Sequence, residues 1–100
     1  MILWNNRLTM LGPKATLDRF DDNGAWEKAL GARHVEWLLL SPRRRRCEFE
    51  TAGRILAELQ ELSRLWPRLI FLLDYEWDPK RVKGLVKAKA GDIECCEISY

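Results

Sequence analysis

The stretch from Arg68 to Trp77 constrains this 100-residue chain more than any other. Read as a strand, it lines one face with Leu69, Phe71, Leu73, Tyr75 and Trp77 and the other with Ile70 and Leu72. Successive side chains on a strand point to opposite faces, so apolar residues on both predict burial from two sides. Such a strand belongs in the middle of a sheet. Something must then cover each face, and the chain has only one domain's length to supply it.

The flanking sequence supplies helices and further strands. Ile2 to Leu11 reads as a strand, with Leu8 and Met10 on one face and Arg7 and Thr9 on the other. Gly12-Pro13 ends it, and Pro13 suits the opening turn of a helix, where no N–H is needed. Ala15, Leu17 and Phe20 give that helix its apolar side. Asp22-Asn23-Gly24 stops it, because Asn and Gly accept a left-handed cap. Ala25 to Leu30 makes another helical turn, closed by Gly31, with Trp26 and Leu30 facing the core. His34 to Leu40 and Arg45 to Thr51 read as two strands joined through Ser41-Pro42-Arg43-Arg44. Thr51 is placed to cap a helix from Ala52 to Trp66, whose apolar stripe is Ile55, Leu59, Leu62 and Trp66. Pro67 stops that helix. After Asp78-Pro79-Lys80, Val82 to Ala90 and Ile93 to Ser99 form a last hairpin around Gly91-Asp92.

This order predicts a single α+β domain over residues 1–100. The expected architecture is a ferredoxin-like split βαββαβ unit. Two helices would lie on one face of an antiparallel sheet, with a C-terminal β-hairpin over about residues 80–100.

Several motifs carry a family resemblance. The opening Trp4-Asn5-Asn6-Arg7-Leu8-Thr9-Met10-Leu11-Gly12-Pro13, followed by Leu17 and Phe20, resembles the start of the YubB-type ferredoxin-like domain of phage and conjugative-plasmid proteins. Phe49-Glu50-Thr51-Ala52 is similar to that family's strand-to-helix step. The block from Leu62 through Trp66-Pro67 to Tyr75-Glu76 is similar to its helix-to-strand passage, and Gly84 with Gly91-Asp92 fits its final hairpin. Two departures are visible: Ala32 to Trp37 replaces a Trp-Gly-rich stretch, and Gly53-Arg54-Ile55-Leu56 replaces a Trp-Ser-Pro-Pro. The resemblance implies this fold and an accessory role on a mobile element, without catalysis.

Composition narrows the function classes. Apolar residues at 47% and charged residues at 32% describe a globular chain, and a net charge of +2 excludes a strongly cationic nucleic-acid coat. The longest apolar run, Leu69 to Leu73, is far short of the roughly 20 residues a membrane span needs. The N-terminal residues lack the order of a secretion signal. Cys47 and the vicinal Cys95-Cys96 do not suit a disulfide framework, so a reducing, cytoplasmic setting is expected. Adjacent strand cysteines aim at opposite faces, which argues against a shared metal ion. Asp18 to Gly24 resembles a calcium loop only superficially, since Arg19 and Leu30 would fall on its first and last ligand positions. The glycines are scattered, so no phosphate loop and no cofactor is expected. His34 has no recognisable nucleophile or orienting acid around it, and no catalytic residue is assigned.

Two candidate surfaces remain. Trp26 and Trp66 fit helix core positions, whereas Trp4, Trp37 and Trp77 lie on strands and cannot all fit beneath two short helices. They are the candidate contacts of a protein-interaction module working through an open sheet face. The cover of that face would be the C-terminal hairpin, a second copy of the chain, or a partner protein. Alternatively, the run Arg43, Arg44, Arg45 and Arg46, with Lys83, Lys87 and Lys89, would form a weak, sequence-independent nucleic-acid site. Base stacking on the sheet is not expected, because Glu48 and Glu50 share the outer face with Arg46.

Overall fold

The computed structural model describes residues 3–100. Among them are six strands: β1 (Trp4–Leu11), β2 (Arg33–Ser41), β3 (Arg44–Thr51), β4 (Ile70–Trp77), β5 (Val82–Lys89) and β6 (Asp92–Ser99). Three α-helices accompany them: α1 (Lys14–Asn23), α2 (Ala25–Leu30) and α3 (Leu56–Leu65). The expected strand start at Ile2 lies outside the described residues. All six strands form one antiparallel sheet in the order β2-β3-β1-β4-β5-β6. The class is α+β, as expected. The sheet has two more strands than a four-stranded unit, and the helices number three where two were expected.

The third helix arises at Gly24. Its φ of 65° turns the chain in the left-handed region after α1, and its N–H donates to the Phe20 carbonyl. The residues beyond it restart as α2, so the segment expected to be an extra turn is a separate six-residue helix. α3 begins later than its apolar stripe suggests. Thr51 remains the last residue of β3, opposite Trp4, and its hydroxyl accepts from Asn6 Nδ2 at 3.0 Å and donates to the Gly53 carbonyl at 2.8 Å. That buried side chain is committed to a turn and does not cap a helix. Gly53, a poor helix former, follows, and Ile55 precedes the first helical residue.

The helices pack on one face of the sheet. Leu8 and Met10 of β1, Cys47 and Phe49 of β3, and Leu69, Phe71 and Leu73 in and just before β4 are buried there against Leu17, Phe20, Leu59 and Leu62. The opposite face carries no helix among the described residues. Leu72, expected to be buried from that side, is 38% exposed, and Ile70 is half-buried. β4 is therefore central in the sheet but covered from one side only.

The C-terminal hairpin does not provide the second cover. β4 and β5 pair without interruption from Ile70↔Lys89 to Trp77↔Val82, joined by the tight turn Asp78–Arg81. So short a connection places β5 beside β4 in the same plane, and β6 extends the sheet further. Within this extension Gly84 meets a specific demand: it pairs with Tyr75, and the tyrosine ring lies across it. A Cβ at Gly84 would overlap the ring, whose hydroxyl is held by Glu97. Gly84→Ala is expected to lower stability by about 1–3 kcal/mol through overpacking. A urea titration checks this, and an unchanged midpoint would show that the ring moves away freely.

Candidate interaction surfaces

Strand register sets out the uncovered face as rows running across the sheet. Glu48, Arg7, Asp74, Leu85 and Cys96 stand opposite one another from β3 to β6. Arg46, Thr9, Leu72, Lys87 and Glu94 form the next row toward the β2–β3 turn. Over β3 and β1 the rows are polar and internally satisfied. Arg7 meets Glu48 at 2.7 Å, which raises the guanidinium's pKa, and Arg46 donates to the Thr9 hydroxyl at 3.1 Å. His34 Nδ1 lies 2.7 Å from Glu50, an exposed pair at the β2 edge. Exposed pairs of this kind orient side chains more than they stabilise the fold.

Over β4, β5 and β6 the same face turns apolar. Leu72, Leu85 (61% exposed) and Ile98 (57% exposed) cluster diagonally, with Cys96 directly opposite Leu85. A shallow depression between Leu72, Leu85 and Cys96 is bordered by Lys87 and Glu94. The sequence signal for this patch was an apolar residue, Leu85, in the middle of the stripe Lys83, Lys87 and Lys89. A second exposed apolar group, Trp37, Leu38 and Leu40, lies on β2 at the far edge of the sheet.

The expected aromatic contacts lie elsewhere. Trp4 and Trp77 are on the helix-bearing side, stacked at 5.1 Å between ring centroids. The Arg54 guanidinium lies 4.7 Å over the Trp4 ring and donates to both Glu97 oxygens, at 2.6 and 2.9 Å. Tyr75 donates its hydroxyl to the same carboxylate at 2.5 Å. These bonds, Arg54 first, lower the pKa of Glu97, while burial and then the bond to Glu97 raise that of Tyr75. Trp4 and Trp77 thus close the rim of the core beside β6. Trp37 also faces the helices, edge-on to Trp26 at 5.9 Å, although part of it stays exposed. The physical reason is strand parity. Trp4 falls in phase with Leu8, and Trp77 with Phe71 and Leu73, all on the buried side. Trp37 stands opposite the buried Cys47.

Parity also divides the arginine run. Arg45 alternates with Cys47 and Phe49, so it points under the helices, and its side chain is only 9% exposed. Its guanidinium bonds Asp18 and Asp21 of α1 at 3.0 Å each and the Ser41 carbonyl. It is a strut between β3 and α1 and cannot reach a phosphate. Arg43 and Arg44 are exposed at the turn, and Arg46 lies on the open face. Lys83 is 3.8 Å from Glu76, and Lys87 and Lys89 stand opposite Glu94 and Asp92. The basic residues are thus spread and partly compensated.

The cysteines follow the same alternation. Cys95 points to the helix-bearing side, where it contacts Tyr75, and Cys96 to the open side. Cys47 is buried, and burial pushes its thiol up to about 12. No helix among the described residues is long and apolar enough to cross a membrane. Compared with known proteins, the chain matches no family model, no curated protein and no solved structure.

Arg45→Met keeps the apolar stem and removes the strut. Its partners are partly exposed, which discounts the loss, so destabilisation of about 1–3 kcal/mol is expected. Arg43→Ala and Arg44→Ala are expected to stay within about 0.5 kcal/mol of the parent. Chemical denaturation of the three variants checks the ranking.

Proposed function

We propose that this chain is a small non-catalytic protein-interaction module that docks through the β4–β6 end of its uncovered sheet face. The observation that carries the reading is the cluster Leu72, Leu85 and Ile98, exposed beside polar rows that hold the Arg7–Glu48 and Lys83–Glu76 pairs. Apolar side chains grouped in this way, rimmed by charge, are the usual core of a binding surface. The order β2-β3-β1-β4, with helices between β1 and β2 and between β3 and β4, supports reading the first four strands as a ferredoxin-like split unit extended by a hairpin. The motifs similar to the YubB-type domain make a mobile-element accessory role the natural setting, with a host or defence protein, or a second copy, as the partner.

Sedimentation velocity of labelled protein tests the reading, alone over a concentration series and in cell lysate. The wild-type chain is expected to sediment faster than a monomer in at least one condition. Leu72→Ser with Leu85→Ser is expected to slow the sedimentation of a complex docked on this face while keeping the urea midpoint. A wild-type chain that is monomeric throughout, or a variant indistinguishable from it, would overturn the proposal.

One observation favours a second reading. Arg43 and Arg44 are exposed at the β2–β3 turn, near Arg46 on the open face, and make no ion pair among the described residues. These would grip a nucleic-acid backbone without regard to sequence. Fluorescence anisotropy with labelled DNA and RNA at two salt concentrations tests it. Arg43→Ala with Arg44→Ala is expected to flatten the log–log salt slope by about 2. Absence of binding at low salt discards this reading.

A further inference from the structure

The sheet has two outer strands, β2 and β6, and their free edges differ. The β2 ladder shifts register between Arg33 and Glu36 and again between Trp37 and Leu39, and His34 sits at φ 56°. Bulges of this kind twist an edge away from further pairing. β6 has none: its ladder with β5 runs unbroken from Val82↔Ser99 to Lys89↔Asp92.

Two observations fix which backbone groups of β6 are free. The hairpin turns through Ala90 (φ 50°) and Gly91 (φ 88°), a two-residue loop flanked by the pair Lys89 and Asp92. At the other end the Tyr100 N–H donates to the Arg81 carbonyl at 2.8 Å. Both place the even-numbered residues of β6 in hydrogen bonds to β5. The N–H and C=O groups of Ile93, Cys95, Glu97 and Ser99 therefore point out of the sheet, where no strand among the described residues meets them.

We propose that this edge pairs antiparallel with β6 of a second copy, about a twofold axis at Cys96, to make one continuous sheet. The proposal goes beyond the interaction reading above: edge pairing leaves the Leu72–Leu85 face uncovered and extends it over two copies. Self-complementarity carries it. The axis at Cys96 sets Cys95 against Glu97, Glu94 against Ile98 and Ile93 against Ser99, so no like charges stand opposite. An axis at Glu94 or Glu97 would set a carboxylate against itself. An axis at Cys95 would leave Ser99 and Tyr100 opposite the hairpin turn.

The remaining negative charge is held within each copy. Arg54 binds Glu97 through two hydrogen bonds, and Lys87 stands opposite Glu94. The chosen register also joins the two apolar patches, because Leu85 and Cys96 of one copy continue directly into Cys96 and Leu85 of the other. The bulged β2 edge cannot take part, so pairing closes at two copies and does not run on as a filament.

Light scattering and thiol oxidation test this together. Diamide takes up the hydrogens of two thiols as their disulfide forms. Facing Cβ atoms about 4.5–5.5 Å apart lie close to disulfide reach. The wild type is expected to have twice the monomer mass. Diamide is expected to link it covalently, and to link Cys95→Ser equally, but not Cys96→Ser. Cys47 is buried and stays out of the reaction. Cys95→Pro removes an outward N–H without touching the β5 ladder and is expected to be monomeric.

A wild type that stays monomeric over the concentration range overturns self-pairing, and complex formation in lysate then still decides the interaction reading. A dimer that survives Cys95→Pro and is not linked through Cys96 overturns the edge while leaving the face. Linkage through Cys95 overturns the register. If Cys95→Pro fails to fold, the Cys96 linkage in the wild type still decides the question.

Discussion

Phe20 joins the helical layer to the sheet. It is 1% exposed, and its ring meets Trp26 of α2, Trp66 at the end of α3 and Phe71 of β4, at centroid distances of 5.9, 5.2 and 5.8 Å. Aromatic rings contribute large buried areas and geometric preference together. One side chain thus fixes three helix-bearing segments over the centre of the sheet. Because all of them are drawn to that ring, the helices gather on one face, and the other is left with polar rows and the Leu72–Leu85 patch. The ion pairs of Arg45 with α1 hold the same helical layer from the turn end of β3. The Trp4–Trp77 stack closes it from the opposite rim.

Most elements were legible because their signals are local. The alternation of Cys47 and Phe49, the stop at Asn23-Gly24 and the Asp78-Pro79 break each act within a few residues. The start of α3 was not legible, because it depends on what Thr51 touches. Its side chain pairs with Asn6 across the sheet, 45 positions away in the chain. Periodicity alone did not place the hairpin, although the short Asp78–Arg81 connection that does so is itself local. Periodicity shows that β5 and β6 are strands, but whether a hairpin covers a sheet or widens it depends on the few residues joining it to β4.

The candidate sites show how far alternation reaches when it is carried through every residue. It separates Arg45 from Arg44 and Arg46, and it puts Leu85 among the lysines, both from sequence alone. Grouping residues by type instead gives a basic site of Arg43 to Arg46 with Lys83, Lys87 and Lys89, and a three-tryptophan face. Neither survives the geometry as a unit. What sequence could not supply is exposure. Trp77 and Leu72 lie on the same strand, and only the position of the helices decides which of them is covered.

A sheet with one bare face and two ends must also deal with its edges. β2 spoils its own edge with two bulges, while β6 is regular and carries acidic residues, a common guard against pairing. That guard is weakened here in a specific way. Glu97 is drawn into Arg54 and Tyr75, so its charge stabilises the rim of the core and no longer faces outward as a free carboxylate. The same clamp that orders β6 against the helical layer therefore lowers the electrostatic barrier along its outer edge.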